Sequence, residues 1–210
     1  MNNPFNTQGQ VRSGKAYIRL FHASPDAPPV DVYANGMLIA KGIAYKQLTR
    51  YLSVPSGNYN VEVYPAGQKM NPVISTVVPI MPNTASTIAA VGMLSEIEPL
   101  VIKEDFMPQI DKNKSYVRFV HLSPDAPPVD ITLPDGTKIF DNVAFTENTD
   151  YIQVDPGTYS IQVRPAGEKN AVISLPNVTL NQGTVYSAYA VGLLGGEPRL
   201  EGLLVTDSSY

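Results

Sequence analysis

The chain has no cysteine, no tryptophan and only two histidines, and charged residues make up just 16% of it. Without cysteine there can be no disulfide, thiolate metal site or cysteine nucleophile, and the redox compartment stays open. No run approaches the roughly 18 consecutive apolar residues of a membrane-spanning helix, so membrane insertion is not expected. No compact Lys/Arg cluster is present and the formal net charge is −4, which argues against nucleic acid or an anionic membrane as partner. The opening stretch MNNPFNTQGQVRSGK lacks the apolar core of a secretory signal, so export by that route is not expected, and the compartment is left unassigned.

What the chain does have is 43% hydrophobic residues, 19 prolines and 15 glycines in 210 positions. That is enough apolar material for a core, in a chain that turns too often to be helical. It is also written twice. LFHASPDAPPVD (20–31) and FVHLSPDAPPVD (119–130) agree at nine of twelve positions. YLSVPSGNYNVEVYPAG (51–67) aligns with YIQVDPGTYSIQVRPAG (151–167), and AAVGML (89–94) with YAVGLL (189–194). The offset is 99 at His22/His121 and 100 from Gly36/Gly136 onward. A period this long marks a duplicated domain, not a solenoid unit. The expected organisation is an amino tail (1–14), a first repeat (15–102), a charged, proline-containing linker (103–114), a second repeat (115–206) and a short carboxyl tail (207–210).

Each copy alternates with period 2, as half-buried strands do. Ile18, Leu20 and His22 share one strand face, and Tyr17, Arg19 and Phe21 the other. Tyr59, Val61 and Val63, like Tyr159, Ile161 and Val163, fall on the inward side. Breaks carry turn chemistry at Asn35-Gly36, Pro134-Asp135-Gly136, Pro55-Ser56-Gly57 and Asp155-Pro156-Gly157. The pattern predicts two tandem antiparallel β-sandwich domains of immunoglobulin or transthyretin type, with six or seven strands per ~90 residues.

In the repeated string, Pro25 presets a turn in which Ser24 can accept a hydrogen bond from a nearby amide. Residues ahead of Pro28 and Pro29 are forced into extended geometry, so the segment is a stiff crossover entering the next strand at Val30. His22 points inward at the rim of the core, where a neutral imidazole finds a turn carbonyl, Asp26 or Asp31. The candidate site residues are therefore His22, Ser24, Asp26 and Asp31, with His121, Ser123, Asp125 and Asp130 in the second copy, as structural groups or as a ligand site at the sandwich end. As a metal site, His22 with Asp26 and Asp31 is poorer in histidine than zinc usually requires, and no metal or other cofactor is expected. As a catalytic pair, the histidine lacks a serine in a nucleophile elbow.

The string His-x-Ser-Pro-Asp-Ala-Pro-x-Val-Asp, followed by VPSGNYNVEVYPAG or VDPGTYSIQVRPAG, resembles the DUF4397 family over roughly 16–102 and 115–206. The resemblance implies a bacterial β-sandwich, frequently in tandem, often secreted or surface-associated, with no established enzymatic activity. A surface role reached without ordinary secretion, such as assembly into a spore envelope, fits it. The leading expectation is a non-catalytic module that assembles with itself or with envelope components, with GQVRSGKAY (9–17) as a strand that adds to a neighbour's sheet edge. The alternative is a glycan or cell-wall module using exposed Tyr33, Tyr45, Tyr51 or Tyr64. A third class is an enzyme with His22 or His121 as base.

Overall fold

Alternation and turns produce strands throughout the computed structural model, which describes residues 14–104 and 110–207. The first repeat forms β1 (Lys15–His22), β2 (Val30–Ala34), β3 (Met37–Ile43), β4 (Leu52–Pro55), β5 (Gly57–Pro65), β6 (Ile74–Ile80), β7 (Ala85–Val91) and β8 (Glu98–Glu104). The second forms β9 (Ser115–His121), β10 (Val129–Thr132), β11 (Lys138–Val143), β12 (Ile152–Val154), β13 (Gly157–Pro165), β14 (Ile173–Leu180), β15 (Val185–Val191) and β16 (Glu201–Asp207). Among the described residues each repeat thus has eight strands, more than alternation alone predicts. The additions include β4 and β12, edge strands too short for a periodic pattern to register. The only helical turn among the described residues is a 3-10 turn at Leu94–Glu96, and none of their helices is long and apolar enough to cross a membrane.

Each repeat stacks two four-stranded sheets, ordered β4-β1-β7-β8 on β3-β2-β5-β6, and β12-β9-β15-β16 on β11-β10-β13-β14. The protein is two tandem β-sandwiches. The sheets are antiparallel except at one pair per repeat: β1 runs parallel to β7 and β9 parallel to β15. Parallel neighbours require a long crossover, and the intervening strands provide it by visiting the other sheet. The first core is built from Ile18, Leu20, Val32, Val61, Val63 and Ile88, and the second from Phe119, Ile131, Phe140 and Val163.

A third apolar cluster lies between the repeats. Phe21, Ala89, Val91 and Ile102 pack against Val120, Leu122, Tyr189 and Val191, all nearly inaccessible. β1 and its sheet are therefore covered on both faces, by their own sandwich on one and by the second repeat on the other. The two domains are packed sheet against sheet.

The composition-based boundaries fall slightly short of the strands. β8 extends through Lys103 and Glu104, residues expected in the linker, and β16 takes in Asp207, expected in the tail. Both carboxylates are buried, for the reason given below. The proposed edge-adding segment also changes character. Lys15–Tyr17 belong to β1, which is paired to β4 on one side and β7 on the other, so these residues are not a free strand. The rest of that segment up to residue 13, and residues 208–210, lie outside the described residues.

Candidate functional site

The repeated string is a set of side-chain ties to backbone. His22 Nε2–H donates to the Pro28 carbonyl at 3.0 Å, and His121 Nε2–H to Pro127 at 3.2 Å. The imidazole thus holds the carbonyl of a crossover whose prolines have no amides to pair. At His121 the other ring nitrogen accepts from the Ser123 amide at 3.3 Å, which fixes the tautomer. Burial pushes both histidines below their usual range, against the opposing effect of these bonds. They are neutral core groups.

The first aspartate of the string ties the turn to the loop after β7 or β15. Asp26 accepts from the Leu94 amide at 2.7 Å, and Asp125 accepts from Leu194 and Gly195 at 2.7 and 3.0 Å. That loop begins at Gly92 and Gly192, with φ of +87° and +92°. A Cβ there would meet Glu96 O at 2.9 Å or Arg199 O at 2.2 Å, which explains why AVG recurs in both copies. The second aspartate pins two more turns. Asp31 accepts from Gly42 and Gly67 at 2.7 and 2.9 Å; Asp130 accepts from Asn142 and Gly167 at 2.9 and 3.1 Å. The Gly67 and Gly42 amides hold Asp31 below the usual carboxylate range. For Asp130, burial works the other way, but Lys138, 2.9 Å away, and the two amides bring it down to about 2.

The serines differ between copies. Ser123 Oγ donates to the Gly192 carbonyl at 2.7 Å, whereas the Ser24 hydroxyl is buried without a partner. The expected amide bond to Ser24 does not form. Neither aspartate reaches its histidine, so the string does not assemble into a histidine–carboxylate pair. Among the described residues no three of His, Asp and Glu are grouped to hold a metal ion.

A second constellation went unread in the sequence. Arg19 and Arg118, at equivalent positions of the two repeats, are 3% and 1% exposed at the domain interface. Arg19 Nε donates to Thr87 Oγ1 and Arg118 Nε to Ser187 Oγ, both at 2.7 Å. Thr87 donates in turn to Glu104 at 2.6 Å, and Ser187 to Asp207 at 2.5 Å. Tyr51 donates to Glu104 and Tyr151 to Asp207, and each tyrosine ring lies beneath its own arginine, 4.8 and 4.6 Å from the guanidinium.

The near two-fold symmetry breaks where the arginines cross between domains. Arg19 pairs with Glu104 at 3.2 Å within its own repeat and with Asp207 of the other, and also donates to the Thr206 carbonyl. Arg118 crosses only to the Lys103 carbonyl, at 2.5 Å, and its Nη2 has no partner. Burial opposes the charge on Arg19, but Tyr189, Glu104 and Asp207 outweigh it and hold its pKa above the ordinary value. Two features of the sequence do point to this network: the arginine recurs in YIRLFH and YVRFVH, and its own face of each strand is otherwise aromatic or apolar.

The tyrosines expected to form an exposed platform are differently placed. Tyr64 is 6% exposed and packs edge-on to Tyr33, whose face is covered by Lys69 at 4.6 Å. Tyr45 packs against the inter-domain cluster and Tyr51 lies under Arg19. Tyr59 and Tyr159 donate to the carbonyls of Pro55 and Asp155, four residues upstream. These rings are spent on internal contacts.

Taken together, the molecule is a pair of β-sandwiches whose repeated string braces the loops at one end of each. The chain belongs to the family "Domain of unknown function (DUF4397)", whose model matches residues 16–132 and 115–210. No curated protein matches it. Among solved structures, it is similar to the C-terminal domain of AlgF from P. aeruginosa, with 23% identity over 46% of this chain and 100% of that one, at a TM-score of 0.36. It is also similar to the Bacillus anthracis TIE protein, with 12% identity over 90% of this chain and 34% of that one, at a TM-score of 0.26. Likeness of this degree says nothing about what the chain does.

Proposed function

We propose that the chain is a non-catalytic structural and interaction module, a self-associating component of a surface layer such as a cell or spore envelope. The observation that carries this reading is the division of its sheets. The inner sheets are buried against each other, while the outer sheet of the first repeat keeps β3 and β6 as edges with nothing else of the described chain paired to them. Met37 and Leu38 on β3 are 70% and 46% exposed, and Val77 on β6 is 55% exposed. An edge with apolar side chains and free backbone groups favours pairing with another strand.

Support for a non-catalytic role comes from the string itself. Both nitrogens of His121 are committed to backbone, and Asp26, Asp31, Asp125 and Asp130 are each bonded to backbone amides. A general base needs a free nitrogen within reach of substrate, and the unpartnered one, His22 Nδ1, belongs to a side chain only 1% exposed. The glycan reading has less support, since the candidate tyrosines present no bare ring pair.

Light scattering of the full chain over a concentration series tests the assembly reading. Growth beyond monomer is expected, and Leu38→Lys, which places charge on the β3 edge, should suppress it. A strict monomer at every concentration refutes self-association.

A further inference from the structure

The two repeats share a fold but not an interior. Between the sheets of the second repeat the side chains leave a cavity of about 410 Å³; the corresponding space in the first is divided into two, of about 200 and 30 Å³. Three exchanges on the inner sheet widen it. Ile18 and Ile88 of the first repeat correspond to Val117 and Ala188, and Pro99, which faces Ala90, corresponds to Gly202, which faces Ala190. Ile18 and Ile88 are buried, whereas Val117 and Ala188 are only partly so.

The lining is hydrocarbon, supplied by residues such as Phe119, Ile152, Ile161 and Val178. No charged or amide side chain contributes; the Tyr159 hydroxyl is committed to the Asp155 carbonyl at 2.7 Å, and the Tyr189 hydroxyl accepts from Arg19 at 3.4 Å. A polar ligand group would lose its hydration there and gain no partner. An apolar one would release the walls from water, which is the common basis of binding in cavities of this size. The cavity runs across the width of the sandwich, touching the edge strands β11 and β12 on one side and β14 and β16 on the other. That shape suits a thread more than a compact ring system. An apolar cavity of about 150 Å³ accommodates benzene, so by proportion this one takes roughly sixteen carbons.

The β14/β16 edge carries partly exposed residues that line the cavity. A Cβ on Gly202 would sit 2.4 Å from Leu175 Cδ1, so the glycine lets Leu175 lie across the gap between the two sheets. Leu175 is itself partly exposed, and Leu204 beside it is 36% exposed.

We propose that the second sandwich binds one unbranched alkyl chain of about sixteen carbons, threaded between its sheets past Leu175, with the polar head left at the surface. The proposal goes beyond the assembly reading and stands or falls separately from it. The test uses the full chain labelled at isoleucine, leucine and valine methyls and titrated with palmitate. Saturable binding of one palmitate per chain is expected, with shifts at Ile139, Ile152, Ile161 and Leu175 and none at Ile18, Ile39 or Ile88.

Ala188→Ile restores the first repeat's residue and should weaken binding at least tenfold. Val178→Phe serves the same purpose from the opposite sheet should the first variant fold poorly. A parallel titration with palmitoyl lysophosphatidylcholine separates a free acid from an acyl lipid, and saturable binding of either supports the site. Failure of both probes to saturate, shifts spread equally over the first repeat or at Val120 and Leu122, or unchanged affinity in both folded variants would overturn it.

Discussion

Replacing Arg19 with methionine keeps much of the aliphatic stem and removes the charge. It leaves Glu104 and Asp207, 5% and 8% exposed, without the cation that pairs with them both. Breaking one side of a buried ion pair costs about 3–5 kcal/mol, because the remaining charge cannot recover its hydration. At about 2–4 °C per kcal/mol for a chain of this size, the midpoint should fall by about 6–20 °C. Arg118→Met supplies an internal control. Among the described residues Arg118 makes no ion pair, and it loses hydrogen bonds to Ser187 and Lys103, worth about 1–3 kcal/mol.

Far-UV circular dichroism and tyrosine fluorescence during urea unfolding, with calorimetry alongside, measure both variants. The native protein should unfold in one transition, since the arginines and the third apolar cluster join the domains; Arg19→Met should separate it towards two. A cost below about 1 kcal/mol for Arg19→Met, or a larger cost at Arg118, would refute the view that this network couples the domains.

Other expectations concern the repeated string. Burial lowers the pKa of His22 and His121, so the folded state binds fewer protons than the unfolded one just below about pH 6.5. Thermal stability should therefore fall as the pH drops below that value, and His22→Gln with His121→Gln should flatten the dependence; an unchanged slope counts against burial as its cause. Asp130→Asn should destabilise by about 1–3 kcal/mol in urea unfolding by weakening its hold on the Asn142 and Gly167 amides, with Lys138 left unpaired. Because Asp130 is held down to about 2, its contribution is complete above the ordinary aspartate range near pH 4 and is lost on acidification towards pH 2, so acid unfolding of the variant should be shallower there.

Most of the architecture can be read locally. The inward positions of Tyr59, Val61 and Val63, the turns at Asn35-Gly36 and Pro55-Ser56-Gly57, and the duplication of the whole unit follow from side-chain alternation and backbone sterics, which act over a few residues. The string was legible as a stiff crossover for the same reason, and its histidine as a core group. Its aspartates were harder to place, because Asp31 finds its amides at Gly42 and Gly67 and Asp26 finds Leu94, turns brought near only once the sheets have stacked.

The inner sheets belong wholly to tertiary structure. The recurrence of Arg19 as Arg118 singles it out in the sequence, but only its partnership with Glu104 and with Asp207, 188 residues away, shows why it is buried. The cavity of the second repeat likewise depends on which alanine and which glycine end up side by side on neighbouring strands, beneath the opposite sheet. Sequence determined the strands, their duplication and the inward side of each, because those are set by neighbours along the chain. Tertiary structure decided which outer faces would meet and where space would remain between the sheets, because both depend on contacts between residues the chain keeps far apart.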